Sequence, residues 1–145
     1  MKKVLFSIVL IFSATFVFGQ NLAIHMIDGP RGNFHTLPND SAYRIVFNIS
    51  GLTTDEMIQD FITKSKAYAG VVNISVKGLN SQGQRNALLI IDGKKDDVYF
   101  KGFLDHVGVT KIYYKEKEYT TATLKQLQED RQKSKMNVET KKANK

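Results

Sequence analysis

Apolar and polar residues alternate through "AYRIVFNIS", residues 42 to 50. Tyr43, Ile45, Phe47 and Ile49 fall on one side and Arg44, Val46, Asn48 and Ser50 on the other, which predicts a strand with one firmly apolar face. Gly51 ends it. The period then becomes helical: Met57, Ile58, Phe61, Ile62, Ser65 and Tyr68 share a face, while Asp60, Thr63, Lys64 and Lys66 fall elsewhere. Thr53, three residues before Glu56, predicts a capping box, and Asp55 and Glu56 suit the positive end of the helix dipole. The spacing predicts a helix from about Thr54 to about Tyr68, with Gly70 as its stop.

"VVNISVKG" (71 to 78) alternates again, and "NALLIID" (86 to 92) is apolar nearly throughout, as suits a central strand. "LNSQGQ" joins them as a loop or hairpin connection. Asp96 or Asp97 then caps a second amphipathic helix marked by Tyr99, Phe100, Phe103, Leu104 and Val107. Gly102 lies inside that helix, at a cost of ~1 kcal/mol against alanine, which predicts a close neighbour. Gly108 ends the helix, and "VTKIYYKEKEY" (109 to 119) reads as a last strand. The order strand, helix, strand, strand, helix, strand predicts an α+β, ferredoxin-like βαββαβ sandwich: a four-stranded antiparallel sheet with two helices on one face.

Two flanking segments remain. Residues 20–41 form an arm punctuated by Gly29, Pro30, Gly32 and Pro38, with one short strand from Leu22 to Ile27. Residues 119–145 hold a helix over about 120–136, with Leu124 and Leu127 as its apolar contacts, and a polar basic tail expected to be disordered beyond Asn137. Either segment can cover the sheet face that the two helices leave open.

The start of the chain changes the picture of where it works. Lys2 and Lys3 precede the apolar "VLFSIVLIFSATFVF", and Val17-Phe18-Gly19 places compact residues before Gln20. That layout predicts a secretory signal peptide over residues 1–19, since the apolar run is shorter than the roughly 20 residues of a spanning helix. The expected product is exported, periplasmic or secreted, with no stable membrane insertion. The chain has no cysteine, so it must hold together by packing without disulfides.

The net charge of +7 is uneven. Residues 20–114 carry ten Lys/Arg against nine Asp/Glu, and residues 115–145 nine against five. The body is therefore nearly neutral, and with an export signal ahead of it a nucleic-acid partner is not expected.

The body from about Tyr43 to Tyr114 resembles the heavy-metal-associated (HMA) domain, the family of copper chaperones. The likeness rests on the alternating first strand, the turn "GLTTDEM", the helix with "MIQDFI", the stretch "AGVVNISV" and the second helix "DDVYFKGFLDHVGV". That family's turn runs glycine, methionine, threonine or similar, cysteine, two residues, cysteine. Gly51 and Thr53 match it, Leu52 replaces the methionine, Thr54 stands at the first cysteine and Met57 at the second. The resemblance implies an HMA-like domain over 42–118 whose metal loop, Gly51, Leu52, Thr53, Thr54 and Met57, has lost both thiolates. Two thiolates hold Cu(I) or Zn(II) because soft anionic sulfur suits those ions. A threonine hydroxyl stays protonated, and a thioether is neutral and weaker.

Two functions follow as expectations. The first is an exported, non-catalytic module without cofactor that binds a protein or peptide, its partner another exported or envelope protein. It would use the open sheet face, a sheet edge, or the turn at Leu52 to Met57, where Leu52 would stand as an apolar knob. The alternative is a copper-trafficking protein using Met57 with His25, Met26 or His35. Catalysis is not expected: no phosphate-binding glycine loop and no nucleophile elbow occurs in the sequence.

Overall fold

A computed structural model describes residues 21–28, 35–36 and 42–143. The predicted signal peptide and most of the N-terminal arm lie outside the described residues. The strands are β1 (Leu22–Met26), β2 (His35–Thr36), β3 (Tyr43–Ser50), β4 (Val71–Leu79), β5 (Arg85–Ile91), β6 (Val109–Tyr114) and β7 (Lys117–Tyr119). The helices are α1 (Asp55–Ala67), α2 (Asp97–Val107) and α3 (Leu124–Ala143), the last preceded by a 3-10 turn at Thr121–Thr123.

The four-stranded antiparallel sandwich with two helices is overturned. The sheet is mixed, in the order β4-β5-β3-β1-β6-β7, with β2 pairing β3, and three helices accompany it. The difference lies in β1, which the sequence pattern leaves in a flanking arm. It pairs antiparallel with β3 on one side and parallel with β6 on the other, so it separates two strands expected to be neighbours. Its residues explain why it is accepted there. Leu22 and Ile24 are buried and in phase with the apolar face of β3, and Ala23 between them is small enough to be buried too. Direction follows from the crossovers. β1 and β5 both run antiparallel to β3, so β5 and β6 run the same way, joined through α2.

Register turns this arrangement into packing. Ile49, Ile24, Ile112 and Tyr119 stand opposite one another across four strands. Ile74, Leu89 and Ile45 form a second such row. All seven are buried. Phe61 of α1, Phe103, Leu104 and Val107 of α2 and Leu127 of α3 complete the same core. All three helices therefore serve one face. The arm supplies an interior strand and the C-terminal helix joins the helical layer, so neither covers the other face in the way expected.

That second face is polar along one row. Asn86, Asn48, His25, Tyr113 and Glu118 stand in register across five strands. Asn86 Nδ2 donates to Asn48 Oδ1 at 3.2 Å, and Tyr113 Oη donates to Glu118 Oε2 at 2.9 Å.

The helix ends match the sequence closely. Asp96 caps α2 by accepting from the Tyr99 N–H at 2.9 Å, and Gly108 closes the helix in the left-handed conformation. At α1 the cap moves one residue along: Thr54, not Thr53, accepts from the Met57 N–H, at 3.2 Å. The hydroxyl must sit three residues before a free donor, and the first helical residue is Asp55. At the other end of the chain α3 continues to Ala143, past the expected limit at Asn137. Its residues are mostly strong helix formers, which extend a helix once packing has nucleated it.

Candidate functional site

The turn that resembles a metal loop is built as a structural joint. Gly51 has φ 98, and a Cβ there would lie 2.7 Å from the Asn21 carbonyl oxygen, so the turn closes tightly on the start of β1. Leu52 is only 2% exposed and belongs to the core. It is therefore not an apolar knob at the surface. Its carbonyl accepts from Arg85 Nε at 2.9 Å. Thr54 is spent on the helix cap. The Thr53 hydroxyl donates to the Met57 sulfur at 3.3 Å, and Met57 packs against the core.

The other predicted ligands are dispersed. His25 lies on the second sheet face, stacked on Tyr113 with ring centres 4.9 Å apart. Its Nε2 is hydrogen-bonded to Ser50 Oγ at 2.9 Å, and Ser50 Oγ also lies 3.4 Å from the Ala23 carbonyl oxygen. Burial holds the His25 pKa below its ordinary value. Met26 faces the helical side and packs on the core there. The backbone of His35 is paired with Arg44, four residues along β3 from Asn48, the partner of His25. Met57 and Met26 thus share one side of the sheet and His25 takes the other. Among the described residues no three His, Cys, Asp or Glu side chains gather as a metal site.

Another place in the molecule has the form of a binding site. Between α2, α3 and the sheet lies an apolar chamber of about 100 Å³. Met26, Ile45 and Phe47 floor it, Phe100 forms the α2 wall, and Leu124 and Leu127 form the α3 wall. Arg131, Gln128 and Asp97 stand at its polar margin, where Gln128 Nε2 donates to Asp97 Oδ1 between the two helices. Outside this margin a groove of about 480 Å³ continues between Tyr43, Lys94, Lys95 and Phe100 on one side and Gln128, Arg131, Gln132 and Lys135 on the other.

The chamber follows from the sequence of α3. Leu124 and Leu127 occupy successive positions of one helical stripe, and the next position, one turn further, holds Arg131. A leucine there would fill the seam. The arginine there lines the chamber with a long side chain that carries apolar stem and charge together. Its guanidinium is 6.0 Å from the Tyr114 ring centre, and burial draws its pKa below the ordinary arginine value, opposed by Tyr114 and Asp28. Further round α3, Asp130 accepts from Tyr119 Oη at 2.6 Å and from Lys117 Nζ at 3.2 Å. These bonds and the pair between Lys115 and Ser134 fasten α3 to β6 and β7.

On the facing wall Lys95 bridges to Asp92 at 2.7 Å and lies 5.1 Å from the Tyr99 ring centre. The Tyr99 hydroxyl is pushed up to about 12, by burial first and then by the Asp92 charge. Spacing in the sequence marks Tyr43, Tyr99 and Phe100 only as apolar-face positions and singles out neither lysine of this wall. The one available signal was Arg131, a cation at a position where the leucine stripe asks for an apolar residue.

Comparison with protein-family models, with curated proteins and with solved structures finds no match to this chain.

Proposed function

We propose that this chain is an exported, non-catalytic binding module and that it takes its ligand in the groove between α2 and α3. The observation that carries the reading is an apolar chamber left unfilled beneath a margin of cations and amides. Ligand sites combine those two properties: apolar walls contribute free energy, and a few placed polar groups fix orientation. The lining groups are lysine, arginine, glutamine, tyrosine, one aspartate held by Gln128 and apolar carbon, a set suited to holding a molecule. Export is supported by the charge-then-apolar pattern of residues 1–19.

The reading keeps the binding module that the sequence suggested and moves its surface. The Leu52 side chain is occupied by the core, whereas the groove offers both accessible apolar area and charge. The copper alternative gains nothing from positions that divide His25 from Met26 and Met57.

A photocrosslinking amino acid at Gln132, in the groove, is compared with one at Thr53, in the turn, in the exported full chain. The expected outcome is a defined adduct from position 132, suppressed by Arg131→Glu, and none from position 53. Equal adducts from both positions, or none from 132, would refute the assignment.

A further inference from the structure

The chamber and the groove differ in what they can hold. About 100 Å³ is smaller than the ~150 Å³ apolar cavity that accepts benzene, so the chamber has room for one compact side chain and not for a long alkyl tail. The groove outside is several times larger and open to solvent.

Charge is spread along both of its walls. Lys94 and Lys95 stand on one, Arg131 and Lys135 on the other. The acids nearby are Asp97 at the chamber margin, engaged by Gln128, Asp92, engaged by Lys95, Asp96, which caps α2, and Asp28, whose charge acts on Arg131. Arg131 and Lys135 are one helical turn apart, and so are Gln128 and Gln132, which places two amides beside two cations along α3. A single small carboxylate engages one end of such an array. A chain with several acids uses both walls, and its backbone N–H and C=O groups find the glutamine amides. Glutamine presents both donor and acceptor, which a polypeptide needs and an alkyl carboxylate does not.

We infer that the groove takes an acidic peptide segment that inserts one apolar side chain of about leucine size into the chamber. This rests on the groove being the binding site, as proposed above. The chamber selects the anchor, the cations select the flanks, and Gln128 and Gln132 read the backbone between them.

The test is fluorescence anisotropy on the full mature chain with a short labelled peptide, N-acetylated and C-amidated, carrying a central leucine between three Asp or Glu on each side. Saturable binding is expected. Replacing the leucine by glycine weakens it about tenfold, the free energy of one buried aliphatic side chain. Arg131→Gln with Lys135→Gln weakens it about fivefold, and added salt weakens it further. Lys133→Gln with Lys141→Gln removes the same charge away from the groove and leaves affinity unchanged. Ile24→Phe fills the chamber and abolishes the preference for leucine over glycine.

Equal binding of the leucine and glycine peptides, or equal losses from the two double variants, would mean unspecific charge attraction and overturn the inference. Free 4-methylpentanoate is the second probe. If it shifts the NMR methyl signals of Leu124 and Leu127 while the peptide does not, the groove remains the site and the peptide inference is wrong. If neither probe binds and the crosslink from position 132 also fails, the groove reading falls with it.

Discussion

The helical layer has two seams, and they are built differently. Between α1 and α2 the seam is closed by rings: Tyr68 meets Tyr99, Phe103 and His106, with centres 5.3 to 5.6 Å apart. Gly102 makes this approach workable, because a Cβ there would collide with the Tyr68 hydroxyl. The helix-weakening glycine noted in the sequence is thus the place where α1's last aromatic residue lies against α2. Between α2 and α3 the seam stays open over Phe47 and Met26. Two leucines and an arginine leave a space there that Phe103 and Leu104 of α2 also border, while Val107 is packed away from it. One layer can therefore supply both rigidity and a cavity, according to whether the stripe on each helix is continued or interrupted.

The sharpest way to break this comparison is to hollow both seams. Phe61→Ala removes a ring of α1 that is 1% exposed and does not line the chamber, and should cost ~3–5 kcal/mol. Leu127→Ala also removes a buried side chain, but its neighbours border space that is already open and α3 can settle inward. Its cost should fall near ~2 kcal/mol, the low end for such a change. Urea denaturation of the two variants measures both. Equal losses would mean that the second seam is as tightly packed as the first.

The next effect concerns the inserted strand. Gly51→Ala places a methyl group 2.7 Å from the Asn21 carbonyl in a backbone with φ 98. Strain of that kind costs about 1–3 kcal/mol, and here it falls on the joint that holds β1 against β3. A thermal melt should drop by several degrees. A melt unchanged by Gly51→Ala would show that β1 does not depend on this turn.

Those three substitutions also mark what could be read from the chain. Periodicity identified the core side of β3 through Ile45, Phe47 and Ile49 and the face of α1 through Phe61, and capping residues marked the start of α2 at Asp96 or Asp97 and its stop at Gly108. Each is a local property, decided by which side chains share a face. Neighbour choice is not local. Nothing in the spacing of Leu22, Ile24 and Met26 says whether the strand lies beside β3 alone or between β3 and β6, and the surrounding glycines and prolines made it read as part of an arm. The groove was hidden for the same reason. Arg131 breaks the α3 stripe visibly, but that the break faces Phe47 and Phe100 depends on where α3 docks. The turn at 51–57 could not be decided by its residues alone, because a capped turn and a vacated metal loop share glycine, threonine and helix start.

A smaller effect separates those two descriptions of the turn. Thr54→Ala removes the cap of α1 and should cost ~1 kcal/mol. Thr53→Ala removes only a hydroxyl bonded to the Met57 sulfur and should cost clearly less. Chemical denaturation of both variants checks the order. The reverse order would restore Thr53 as the cap and the capping box with Glu56.

The smallest expected effect is the most local: the fastening of α3 should loosen at both extremes of pH. Asp130 accepts from Tyr119 and Lys117, and those bonds hold its carboxyl below its ordinary value of 3.8. That stabilisation is present above about pH 4 and is lost as the pH falls through the lowered folded value. Tyr119 titrates the other way. Its hydroxyl, donating to Asp130, is pushed up to about 12 from an ordinary 10. Its contribution is present below pH 10 and is lost as the pH rises from 10 toward 12. Because the chain has no cysteine, Asn137→Cys gives a single site for a spin label on α3. Label mobility should be flat between these limits and rise outside both. Tyr119→Phe should reduce the alkaline rise and leave part of the acid one, since Lys117 still pairs with Asp130. A label equally mobile at every pH would mean that these bonds do not hold α3, and the open seam would then owe its shape to Leu124 and Leu127 alone.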